Sequence, residues 1–83
     1  MKKVVIYTTP TCSYCKLAKE FFQQHGVSYE EYNVGSDAAR REEMINKSGQ
    51  MGVPVIAISG DDLEEEKIIV GFDKSALAST LGV

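Results

Sequence analysis

The chain has no apolar run long enough to enter a bilayer; the longest near its start is Val4-Val5-Ile6-Tyr7, preceded by Lys2-Lys3. That falls far short of a signal-peptide core or a membrane span, so a cytoplasmic protein with no membrane partner is expected. Basic charge is also scarce. Nine Lys and Arg against 12 Asp and Glu leave a formal net charge of -3, which gives no field for phosphate backbones, and no nucleic-acid partner is expected. Cysteine occurs twice, at Cys12 and Cys15. A structural disulfide framework uses several pairs, so a single close pair favours redox or metal chemistry over a brace. What remains is ordinary globular material, 43% hydrophobic and 25% charged, which excludes disorder and fibrous classes. In 83 residues there is no room for a second core, so residues 1–83 read as one domain.

The element order is α/β. Lys2 to Thr8 is β-branched and aromatic and is apolar at consecutive positions, the pattern of a strand covered on both faces. Thr9-Pro10-Thr11 breaks it, and Ser13 to His25 follows as a helix closed by Gly26. Val27 to Val34 is a second strand candidate, and Gly35-Ser36-Asp37 supplies a turn and an N-cap for a helix over Ala38 to Lys47. Because crossovers between strands of one sheet are parallel and right-handed, the first two strands are expected side by side with the first helix across one face. Val53 to Ile58 reads as a third strand, Gly60-Asp61-Asp62 as a turn, and Lys67 to Val70 as a fourth strand in an antiparallel hairpin. Asp73 caps a last helix, Lys74 to Leu81, with Ala76, Leu77 and Leu81 available for burial. The acidic run Asp61 to Glu66 reads as a solvated hairpin tip.

On a helical wheel, Lys16, Lys19 and Gln23 fall within about 40° of Cys12, on the polar stripe. Cys15 lies beside Phe22 and Ala18, and the apolar arc continues through Tyr14, Phe21 and Leu17. Cys12 is therefore expected to face water and Cys15 the interior. Three helical residues separate Cα atoms by about 5 Å, inside the disulfide range. A bond there opens and closes with little backbone movement, as a reversible couple requires. Cys12 also stands where the first helical N–H groups are unpaired and the dipole is positive, with Lys16 one turn on. A stabilised thiolate with a lowered pKa is expected. Since the thiolate attacks, Cys12 is the expected nucleophile and Cys15 the resolving thiol.

Zinc is the main competing use of such a pair, but a closed site needs four ligands and the only histidine, His25, lies about 20 Å along the helix from Cys12. The chain could supply half a site to be completed by a second chain, and no metal is expected. The same distance excludes a Cys–His hydrolase pair, and His25 reads as a helix-end residue. Arg40-Arg41 and Glu42-Glu43 read as exposed helix charges.

The stretches VVIYTTPTCSYCK, SGQMGVPVI and VGFDKSAL, in this order and spacing, resemble the glutaredoxins, small members of the thioredoxin fold, over nearly the whole chain. The resemblance implies a four-stranded mixed sheet in the order 2-1-3-4 with three flanking helices, and a cis Pro54 facing the cysteines. It implies that the Val53 backbone docks a bound thiol peptide as a strand would, and that Tyr14 is the aromatic beside the nucleophile. Gly71, Phe72 and Asp73 fall in the family's substrate-binding stretch. Glutathione-using members commonly have lysine where this chain has Thr9, arginine or another polar residue at Met51, and Gly-Gly followed by Cys, Ser or Thr and Asp at Gly71-Phe72-Asp73-Lys74. Losing these cationic and capping contacts weakens a glutathione complex. VPV with a Gly-Phe pair looks more like glutaredoxin-like redoxins reduced by thioredoxin reductase, some of which supply electrons to ribonucleotide reductase. The implied activity is a monomeric dithiol oxidoreductase acting on disulfide-containing proteins or small disulfides. Thioredoxin reductase or glutathione as co-substrate supplies its electrons, with no tightly bound cofactor. Ser13, where the family usually has proline, implies an alternative, because some members with serine there hold a [2Fe-2S] cluster between two chains with glutathione.

Overall fold

Successive side chains of a strand point to opposite faces, so Val4 and Ile6 take one side of the first strand and Val5 and Tyr7 the other. All four are buried. A strand of this kind needs cover on both faces, and the computed structural model, which describes residues 3–59 and 66–82, supplies it. The elements are β1 (Lys3–Thr8), α1 (Ser13–Gln24), β2 (Glu30–Asn33), α2 (Ala38–Ser48), β3 (Val55–Ser59), β4 (Glu66–Val70) and α3 (Lys74–Leu81). Lys2, the expected turn at Gly60-Asp61-Asp62 and the acidic run as far as Glu65 lie outside the described residues.

The sheet order is β2-β1-β3-β4, with β1 parallel to β2 and antiparallel to β3, and β3 antiparallel to β4. This is the mixed sheet with three helices that the resemblance implies. On one face Val4, Ile6, Ile56, Ile58 and Ile69 pack with Ala18, Phe21 and Phe22 of α1 and Leu77 of α3. On the other, Val5, Tyr7, Val55 and Ala57 pack with Val34, just after β2, and with Met44 of α2. Among the described residues, no helix is long and apolar enough to cross a membrane.

Two strand starts differ by more than one residue from those expected, the other described boundaries agreeing to within one. The second strand begins at Glu30, not Val27, because Val27 closes α1: its N–H donates to the Phe22 carbonyl at 2.8 Å and the Gly26 N–H to Gln23 at 3.3 Å. Gly26 takes φ 64, the left-handed turn that completes this helix end. The third strand begins at Val55, since Pro54 has no N–H to place in the ladder. Asp37 and Asp73 cap α2 and α3 as expected, accepting the Arg40 and Ala76 N–H groups at 3.1 and 3.0 Å.

Candidate active site

Cys12 has an extended backbone (φ -88, ψ 111) and is the N-cap of α1. Its Sγ accepts the Cys15 N–H at 3.1 Å, so the thiol position takes one of the helix's unpaired donors. Cys15 lies one turn further, 1% exposed, while Cys12 is half-buried. The two are disulfide-bonded with Cα atoms 5.2 Å apart, matching the separation expected from helix geometry. Cys12, Pro10, Thr11, Ser13 and Lys16 line a shallow depression of about 320 Å³. Lys16 thus shares the depression with the outer sulfur.

Strand register brings the other expected residues to the same end of the sheet. Val55, which pairs with Tyr7 on one side and Val70 on the other, directly follows Pro54, and the Val53–Pro54 peptide is cis. The Gly71 N–H donates to the Pro54 carbonyl at 2.8 Å, which ties the β4–α3 link to this loop. Phe72 then packs toward α1, its ring 6.4 Å from Phe21, and Asp73 is engaged as the α3 cap. Among the described residues, none hydrogen-bonds the Val53 backbone, and no cluster of three or more metal-ligating side chains occurs.

The glutaredoxin family profile matches residues 4–63. The chain belongs to the glutaredoxin family. It is 43% identical over 74 residues to a glutaredoxin-like 8.6 kDa protein of the Clostridium pasteurianum rubredoxin operon, covering 89% of this chain and 91% of that one. It is 44% identical over 63 residues to glutaredoxin 3 of Escherichia coli K12, covering 76% of each. Its fold is similar to that of the glutaredoxin-like protein NrdH-redoxin from Escherichia coli, a protein with a thioredoxin-like activity profile. That match has a TM-score of 0.74 and 25% identity, and it covers 93% of this chain and 92% of that one. The chain is thus a thioredoxin-fold redox protein, a family of thiol-disulfide oxidoreductases, with its cysteine pair at the helix N-terminus.

Within this glutaredoxin fold, two side chains assigned to the apolar arc of α1 turn out otherwise. Tyr14 is 62% exposed and Leu17 43% exposed. The buried arc, Cys15, Ala18, Phe21 and Phe22, is narrower than the wheel suggested. Tyr14 sits in the first turn of α1 and Leu17 in the second, and neither joins the core on either face of the sheet. Met51 is also exposed, at 71%, in the loop that leads to Pro54.

A polar clasp joins residues that the sequence motifs leave aside. Thr8 is buried, and its hydroxyl donates to Glu31 Oε2 at 2.7 Å; Lys19 Nζ reaches the same oxygen at 2.9 Å. The Thr8 hydroxyl, and then Lys19, hold the Glu31 carboxyl below the usual glutamate range. This links β1, the edge strand β2 and the cysteine-bearing helix. The available signal was the alternation of β1, which puts Thr8 on the same face as Val4 and Ile6. On the opposite face Tyr7 donates to Glu43 Oε2 at 2.5 Å, and Arg40 contacts both oxygens of that carboxylate.

Proposed function

We propose that the chain reduces disulfides by a dithiol mechanism, with Cys12 as nucleophile and Cys15 as resolving thiol. The observation that carries this is the asymmetry of one pair: an outer sulfur at the helix N-cap, bonded to a sulfur that is 1% exposed. In the reduced protein the Cys12 thiolate is stabilised by the Cys15 N–H and the helix dipole, with Lys16 beside it. It attacks one substrate sulfur, forming a mixed disulfide and expelling the other sulfur as a thiolate that takes up a proton. The Cys15 thiol loses its proton and attacks the Cys12 sulfur. The second substrate thiol leaves, and the Cys12–Cys15 disulfide remains. The sum is one protein dithiol oxidised and one substrate disulfide reduced to two thiols. No further cofactor takes part.

The Val53 backbone, without a partner among the described residues, docks the substrate chain as an added strand, and Tyr14, Gly71, Phe72 and Asp73 frame it. The electron donor is thioredoxin reductase in preference to glutathione. Thr9, Met51 and the Gly71-Phe72-Asp73-Lys74 stretch, which lack the cationic and capping groups for glutathione carboxylates, support that choice. The fold likeness to a glutaredoxin-like protein of thioredoxin-like activity points the same way. Cys12→Ser abolishes disulfide reduction, whereas Cys15→Ser accumulates mixed disulfide that mass spectrometry detects; equal activity in the two variants refutes the roles. Turnover is measured with thioredoxin reductase and, separately, with glutathione plus glutathione reductase. Fast turnover confined to the glutathione system would overturn the donor assignment.

A further inference from the structure

A surface loop keeps one shape only where something fixed holds its backbone. Residues 50–53 run from the end of α2 to the cis proline, with Met51 and Gly52 exposed. Among the described residues, the hydrogen bonds of this stretch go to one atom, the Oγ of Ser48, the last residue of α2. That oxygen lies 2.7 Å from the Met44 carbonyl and 3.1 Å from the Gln50 carbonyl, and it accepts the Gln50 N–H at 3.3 Å. A hydroxyl has one proton to give, and the nearer Met44 carbonyl takes it. Met44 is the buried residue of α2, in the core that holds Tyr7 and Val55. Val53, at the far end of the stretch, packs against the same core. Both ends of residues 50–53 are thus referred to one core, and the near end depends on a single hydroxyl.

We infer that Ser48 is a positioning residue for disulfide reduction: its hydroxyl holds residues 50–53 so that the Val53 backbone is presented to a substrate chain in the shape that pairs with it. The inference rests on the Val53 docking proposed above and names the group that prepares that loop. Ser48 acts through the loop backbone, and its hydrogen bonds reach neither cysteine. Without the hydroxyl, the Gln50 N–H turns to water and the loop samples further shapes, only some of which pair with a strand. The observed affinity for a chain that docks there then falls with the fraction of molecules in the competent shape. The Cys12 sulfur is held by α1 and is untouched. A disulfide too small to reach Val53 is indifferent to the loop.

The test follows single turnovers of the reduced full chain with a synthetic peptide disulfide and with hydroxyethyl disulfide, each over a range of concentrations. Ser48→Ala is expected to raise the half-saturating peptide concentration about fivefold, the worth of one net hydrogen bond, with the limiting rate unchanged. Hydroxyethyl disulfide reacts as it does with the wild type, and Ser48→Thr, which keeps a hydroxyl, restores the peptide constant. Hydrogen exchange gives a second readout in the wild type itself. Relative to their intrinsic rates, the Gln50 amide is expected to exchange more slowly than those of Met51 and Gly52. Equal exchange at the three overturns the inference, even if Ser48→Ala does not fold. An unchanged peptide constant in Ser48→Ala overturns it too, as does an equal slowing with both disulfides, which marks general damage. If the wild type reduces hydroxyethyl disulfide but shows no saturation with the peptide, the Val53 docking fails; if it reduces neither, the proposed function fails. The inference falls with either.

Discussion

At the residue scale, each polar side chain buried against the sheet has a specific partner, because an unpaired buried polar group costs more than its hydrogen bond returns. Tyr7 shows the consequence. It is 0% exposed, and its phenol donates to Glu43. Burial, followed by the hydrogen bond and charge of Glu43, pushes the Tyr7 phenol above the ordinary tyrosine range. Its folded-state pKa thus exceeds the unfolded value of about 10. The associated stability is fully present below pH about 10 and is lost as pH rises through the folded value. Tyr7→Phe is expected to lower neutral-pH stability by about 1–2 kcal/mol and to reduce the alkaline loss, as read from urea denaturation at neutral and high pH. Glu31 has the opposite sign. Its depressed pKa contributes stability above the unfolded value that is lost as pH falls through the folded one, and solvent screening keeps that contribution small at a side chain 37% exposed.

At the element scale, helix ends decide where the site residues stand. α1 is capped by Cys12 and ends at the Gly26 turn, so the Cys15 N–H of its first turn meets Cys12 Sγ. α2 is held at both ends, by the Asp37 carboxylate on the Arg40 N–H and by Gly49 at φ 73, beyond which the chain runs into the Met51 loop. Asp37→Ala is expected to cost about 1 kcal/mol in thermal or urea unfolding, with Asp37→Asn retaining most of the stability. Neither change touches the cysteines, so disulfide reduction per folded molecule should be unaltered. Strand limits behave differently from helix limits. The edge strand β2 pairs with β1 only from Glu30 opposite Val5 to Asn33 opposite Thr8, although β1 itself begins at Lys3. Val27 closes the α1 turn, and Val27 and Tyr29 pack against the core instead.

At the scale of the whole molecule, a central sheet divides two small cores, and the alternation of β1 and β3 serves both. Ile56 is 0% exposed in the core shared with α1 and α3. Ile56→Ala is expected to remove about 2–5 kcal/mol, a large share of the roughly 5–15 kcal/mol typical of a folded domain, and to leave a substantial unfolded fraction by circular dichroism at about 37 °C. Much of this architecture was legible in the chain itself. The apolar run Val4 to Tyr7, the caps at Asp37 and Asp73, and the cysteine spacing are local signals, because strand alternation, cap hydrogen bonds and helix pitch act within a few residues. They determined the element order and the inward Cys15, while Cys12, expected to face water, is half-buried. Only the tertiary structure decided what surrounds the pair. Tyr14 and Leu17 lie outside both cores although the helical pattern groups them with Phe21, and Thr8 meets Glu31 only through the pairing of β1 with β2. The cis-proline loop joins the β4–α3 link through a hydrogen bond between residues distant in sequence. Burial and contact between elements depend on how the sheet assembles, and that geometry is set by the packing of all its parts.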